Sequence, residues 1–258
     1  PPTATVPLSL TADGAVSDSG TVTVGGSTQI SAAGKTVVLD GANDFGGALS
    51  ISAASATVRD INALDLGHVT LSGNLSLTVG GALSDSGIVS VGGATRINAA
   101  GQSVVLDGAN DFGGSMSIQA ASASLSDVND VSVTDSKLDT RMQINSGGSI
   151  ELLTLPSSPE LTLVAKDTLR FDGSLPLAYE VLSIQTSQGL GSSTTPLQLS
   201  GHTLTLKSTG GQVFAQLQAE DAVSLQAFGA QGASIGHAGS LHFASGSSVS
   251  SESSSVVI

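Results

Sequence analysis

Residues Gly14–Leu66 read GAVSDSGTVTVGGSTQISAAGKTVVLDGANDFGGALSISAASATVRDINALDL, and Gly81–Val133 read GALSDSGIVSVGGATRINAAGQSVVLDGANDFGGSMSIQAASASLSDVNDVSV. The two align without a gap, Gly14 on Gly81 and Leu66 on Val133, and about two-thirds of the positions are identical. The lead-in matches as well, since Val6–Leu10 (VPLSL) faces Gly73–Leu77 (GNLSL). Where the copies differ, Val16/Leu83, Leu49/Met116, Val58/Leu125 and Ile61/Val128 exchange one apolar group for another, whereas Lys35/Gln102 and Arg59/Ser126 exchange polar ones. Positions behave as fixed inside and outside sites, so the repeat is the unit from which the fold must be built.

Within the repeat the period is two. Thr21-Val22-Thr23-Val24, Thr36-Val37-Val38-Leu39, Leu49-Ser50-Ile51, Ala56-Thr57-Val58 and Leu75-Ser76-Leu77-Thr78-Val79 are short, β-branched and mostly alternating. Each is bounded by Gly, Asn, Asp or Ser, which marks brief strands between tight turns. No window carries a capped helical pattern. The offset between the copies divides into three turns of about 22: Thr21–Ala42, Asn43–Gly67 and His68–Gly87. Two or three short strands per turn is the form of one coil of a parallel β-helix. Strands then stack about 4.8 Å apart on those of the previous coil, every backbone group bonds to a neighbouring rung, and the narrow interior takes Val, Ile, Leu, Ala and Ser. A sandwich would want larger core residues and hairpin turns.

The regular repeat occupies residues 1–133, with its copies at 14–66 and 81–133; residues 134–258 read as a less regular continuation of the same solenoid. There Leu204-Thr205-Leu206, Val223-Ser224-Leu225 and Leu241-His242-Phe243 recur at near-even spacing, a little under one coil apart, each before a Gly- or Ser-rich turn. Leu152–Pro159 and Leu175–Leu177 are expected to carry loop excursions, because Pro interrupts ladders. The Ser-rich tail Ser245–Ser255 is a frayed last coil or a linker. At about 21 residues per coil, the expected architecture is all-β with about 12 coils.

Composition sets the partners. Charged residues are only 11% and aromatics 3% of 258 residues, there is no Cys or Trp, and the formal net charge is −13. That balance speaks against nucleic acid. The short apolar runs speak against membrane insertion. Without Cys there is no disulfide framework or thiolate metal site.

The chemistry-bearing candidates are few. DGANDFGG occurs at Asp40–Gly47 and Asp107–Gly114. Asp40, Asn43 and Asp44, with Asp107, Asn110 and Asp111, bring oxygens of the kind Ca²⁺ accepts. The competing and preferred reading is a coil corner, where Asp and Asn bond turn N–H groups and Phe45 or Phe112 plugs the core. The glycine-rich nonapeptide of calcium-loaded β-rolls is absent. Lys166-Asp167 and Arg170-Phe171-Asp172, with Glu151 and Glu160, form the densest charged patch, and a solvated turn explains it better than a site. His68, His202, His237 and His242 lack the flanking acids of a metal set. Gly189–Ser193 (GLGSS) has no following Lys or helix to make a phosphate loop. No Ser sits in a nucleophile elbow. The expectation is a non-enzyme with no catalytic residues and no cofactor.

The phrases TVTVGGSTQISA (21–32), VVLDGANDFGGALSISA (37–53), DINALDLG (60–67) and GLGSSTTPLQLSGHTLTLKSTGGQVFAQL (189–217) resemble the repeats of filamentous-haemagglutinin-type exoproteins. Those are large bacterial adhesins exported by two-partner secretion, with related repeats in autotransporter-like proteins. The resemblance covers most of the chain and implies a right-handed parallel β-helix, in line with the handedness of parallel crossovers. It further implies an extracellular or cell-surface shaft segment serving adhesion, biofilm formation or self-assembly. A host-cell or surface receptor or glycan would bind through other regions, and the coil ends could associate end to end. A Cys-free chain suits export in the unfolded state. No charged and apolar signal pattern precedes Pro1-Pro2-Thr3-Ala4, so an interior piece of a longer chain is expected. The alternatives are a polysaccharide-degrading enzyme on the same fold, disfavoured by one Tyr and no Trp for sugar stacking, or a glycan- or matrix-binding module.

Overall fold

The computed structural model describes residues 6–171, 177–218, 224–237, 248–251 and 256–257. Among them no segment is helical, and all strand pairings are parallel. The chain winds as a right-handed parallel β-helix of about 11 turns, close to the 12 expected. Asp172, Leu175, the Leu241-His242-Phe243 triplet and most of the Ser-rich tail lie outside the described residues. Within that tail, Ser248–Ser251 adds a rung on Gln226–Gly229.

Alternation builds each rung. In Leu49–Asp60, Leu49, Ile51, Ala53, Ala56 and Val58 turn inward and are buried, while Ser52, Thr57 and Arg59 face water. The interior is a continuous column of Val, Leu, Ile and Ala, plugged by Phe45 and Phe112 at 1% exposure each. Strand Thr28–Phe45 bends through two corners, where its register against Leu49–Asp60 shifts. The first corner turns at Gly34 (φ 69°), and its counterpart turns at Gly101 (φ 74°). That left-handed conformation is nearly free for glycine. At another corner, a Cβ on Gly47 would lie 2.6 Å from the Gly26 carbonyl carbon, so successive turns stack backbone on backbone.

Coil length varies more than the sequence reading allowed. Asn43 stacks on Asp60 across a short coil, whereas Ala233 stacks on Val256 across a distinctly longer one. The consequence shows in the inward ladders. Val16 is followed rung by rung by Val37, Ala56, Leu75, Thr95, Met116, Val133, Leu152 and Phe171. Thr28 belongs to a different ladder, between Leu8 and Leu49, which runs on to Leu66 and Asp85. Thr28 and Thr95 are equivalent residues of the two copies, yet they stand on neighbouring faces. The repeat is therefore about three and a third turns rather than three equal ones, and the second copy is rotated by one face of the three-sided coil.

Ladders cross residue 134 without a break: Met116, Val133 and Leu152 are consecutive rungs. At Leu152–Pro159 the chain stays within the coil, with Ser157 bridging Lys137 in parallel.

Candidate functional site

The polar residues shared by the two copies meet at the coil corners. Asn43 is fully buried. Its Oδ1 accepts from the Val22 N–H at 2.8 Å, and its Nδ2 donates to Asp18 Oδ2 at 2.6 Å and to the Leu39 carbonyl at 3.0 Å. The Gly41 N–H also donates to Asp18 Oδ2, at 3.2 Å. In the second copy Asn110 Oδ1 accepts from the Val89 N–H at 2.9 Å, its Nδ2 donates to Asp85 Oδ2 at 2.7 Å, and the Gly108 N–H donates to the same oxygen at 3.1 Å. One carboxamide thus ties two successive coils together at a place where strand geometry leaves backbone groups unpaired.

A second clasp lies alongside. Asp60, 1% exposed, accepts from the Phe45 N–H at 2.8 Å and the Asn62 N–H at 2.9 Å. Asp127, 6% exposed, accepts from Phe112 and Asn129 at 2.8 Å each. Burial pushes both carboxyls above the ordinary carboxylate range, outweighing the two N–H groups that each accepts. Asn62 Nδ2 reaches Asp44 Oδ1 at 3.0 Å, and Asn129 Nδ2 reaches Asp111 Oδ1 at 3.1 Å.

Of the calcium candidates, Asn43 and Asn110 point inward with their amides committed, Asp44 and Asp111 each receive an asparagine, and Asp40 and Asp107 face outward. Among the described residues no group of three or more His, Asp or Glu is placed to hold a metal ion. The sequence reading passed over Asp18/Asp85, Asp60/Asp127 and Asn62/Asn129. The signal was present: each is polar and unchanged between copies.

The charged patch is divided between faces. Glu151 and Arg170 are neighbouring rungs of one outward ladder, and Ser132 Oγ donates to Glu151 Oε2 at 3.3 Å. Glu160 stacks instead on Arg141 in another ladder. Arg170 borders a depression of about 650 Å³ with Phe171, Thr195 and Gln198, and among the described residues no other charged member of the patch lines it. In GLGSS, the Ser192 hydroxyl bonds the Thr194 and Thr195 hydroxyls at 3.2 and 2.6 Å and closes a tight turn. His68 Nδ1 accepts from the Ile88 N–H at 3.4 Å on the next coil, and His202 is exposed. His237 is half-buried, and its sequence neighbour His242 lies outside the described residues.

Residues 3–52 and 53–119 match, as two tandem units, a family described as repeats of unknown function (DUF5649). The second unit has the length of the period read from the sequence, and together the units cover somewhat under half of the chain. No curated protein and no solved structure matches the chain.

Proposed function

We propose that the chain is a shaft segment of a large secreted bacterial adhesin or surface filament, a stiff acidic rod that works mechanically and turns over no substrate. The observation that carries this reading is where the repeated polar groups go. Asp18, Asn43, Asp60 and Asn62, and their counterparts Asp85, Asn110, Asp127 and Asn129, are bonded to backbone or to one another across coils. What the repeat preserves is the stacking of coils, which is what a load-bearing rod requires. About 11 turns at 4.8 Å give a rod on the order of 50 Å long. A charge of −13 keeps such rods apart in solution.

On this reading the protein acts outside the cell, and it holds a receptor-binding part away from the surface or joins other copies end to end. A denaturing immunoblot of producing cells and their medium, with antibody raised to this segment, tests it. The expected band lies at the cell surface or in the medium, far above the 25.3 kDa of this stretch. A band near 25.3 kDa confined to the cytosol would refute it.

A further inference from the structure

The inner ladders are occupied by the core, and the corner acids by the clasps described above. One outward ladder differs from the rest of the surface. Asn145, Val164, Gln185, Lys207, Phe228 and Ser250 are consecutive rungs of it. Two depressions lie along this line. The first, about 450 Å³, is lined by Asn145, Lys166, Gln185, Ser187 and Thr209 among others. The second, about 160 Å³, is lined by Lys207, Gln226, Phe228 and Ser250 among others. Gln185, which lines the first, and Lys207, which lines the second, are neighbouring rungs. Placed one after the other along this ladder, the two depressions trace a line parallel to the rod axis, the trench, about 24 Å long over five rung steps.

The lining has a sign opposite to that of the chain. The protein carries 21 acids against 8 basic residues, yet two of its lysines stand in the trench. Among the described residues the only carboxylate lining either depression is Asp127, whose oxygens accept from Phe112 and Asn129. The remaining polar groups are amides and hydroxyls, with one half-buried aromatic ring beside them.

We infer that this trench binds a linear acidic glycan, a polyhydroxylated chain with spaced carboxylates, laid along the rod. The alternatives fit the same groups less well. An extended peptide would need an open sheet edge, and these strands are paired on both sides. A nucleic acid would need many more cations than two. A sugar chain needs amides and hydroxyls for its own hydroxyls, a ring face for its C–H groups, and lysines only where its carboxylates fall. The inference goes beyond the shaft reading, because it places binding on the rod itself.

Affinity electrophoresis of the protein in gels containing polygalacturonate, with dextran as the neutral comparison, tests the trench. The wild type is expected to be retarded by polygalacturonate and not by dextran. Lys166→Gln with Lys207→Gln is expected to weaken retardation about tenfold. Phe228→Ala weakens it too, while Lys35→Gln, on an exposed turn of an early coil, leaves it unchanged. Far-UV circular dichroism of each variant confirms that the rod is intact. No retardation of an intact rod would overturn the inference and leave the shaft reading standing. Equal retardation by dextran, or equal loss with Lys35→Gln, would overturn it as well.

Discussion

Thr28 and Thr95 are each 1% exposed, and neither hydroxyl has a hydrogen-bond partner. Thr28 stands on its inward ladder between Leu8 and Leu49, and Thr95 stands between Leu75 and Met116. A hydroxyl buried without a partner costs about 1–3 kcal/mol by mutational measures. Valine keeps the branched shape, replaces the hydroxyl with a methyl group, and matches the apolar rungs above and below. Thr28→Val and Thr95→Val are each expected to stabilise the protein by about 1–2 kcal/mol. With a urea m-value of about 3 kcal/mol/M, each moves the midpoint up by about 0.3–0.7 M. Urea titration followed by far-UV circular dichroism reads this directly. The two sites are about 16 Å apart along the axis, so the double variant should show the sum. Thr28→Ser, which keeps the hydroxyl and removes the methyl, should lower the midpoint. A neutral or destabilising Thr28→Val would refute the reasoning. It would mean that the hydroxyl is satisfied inside the coil, and that the interior is wetter than its apolar lining implies.

Other expectations rest on the corners. Asp60 and Asp127 have folded pKa values above their unfolded ones, so the native state holds protons that the unfolded chain releases. Their contribution is full below the unfolded value of 3.8 and is lost as pH rises through the folded values; urea midpoints should therefore fall as pH is raised above 3.8, less steeply in Asp60→Asn. Gly34→Ala introduces no clash but strains a left-handed turn, costing about 1–2 kcal/mol, whereas Gly47→Ala drives a Cβ into the Gly26 backbone and costs more; paired urea curves give the order. Because the Asn43, Asn110, Asp60 and Asp127 oxygens are taken up by N–H groups and Asp40 and Asp107 face outward, addition of Ca²⁺ or of a chelator should leave the thermal melt unchanged, and a shift of several degrees would restore calcium as a corner ligand.

The coil was legible because period-two alternation and an ungapped repeat both survive in a single sequence. Leu49, Ile51, Ala56 and Val58 face inward as their spacing requires. Coil length was not legible, for a physical reason. The strand Thr28–Phe45 steps from Ala32 to Thr36 and from Leu39 to Asn43 at its corners, where the coil above steps only from Ala53 to Ser55 and from Val58 to Asp60. Both corners of the upper coil are shorter, so the stacking offset shrinks between the Thr28/Leu49 rung and the Asn43/Asp60 rung. The longer Leu39–Asn43 corner is held by the Asp18–Asn43 clasp, which joins groups on successive coils and leaves no mark on periodicity. The same holds for the clasps themselves. Asp60 in a strand of alternating burial looks like any polar end residue until the N–H of Phe45, on the preceding strand, is seen to donate to it.

The shorter corners have a consequence for how the rod presents itself. With an integral number of turns per repeat, equivalent residues would line up along one edge and the rod would have a distinct side. At three and a third turns each copy is rotated by one face, so equivalent residues occupy adjacent edges, and three copies would be needed to return to the first. Ile61 and Val128 make this measurable, being repeat equivalents that are 50% and 53% exposed. Ile61 lies at the corner followed by Gly80, whose N–H donates to the Asp60 carbonyl; Val128 lies at the one followed by Gly147, whose N–H donates to the Asp127 carbonyl. Spin labels on Ile61→Cys and Val128→Cys should be separated by clearly more than the axial rise of about 16 Å, because part of the rod's width is added to it. A separation no greater than that rise would place both on one edge and refute the fractional turn. If the rotation holds, a tandem array displays its repeated surface on three sides in succession, and it can be approached by partners from any direction around its axis.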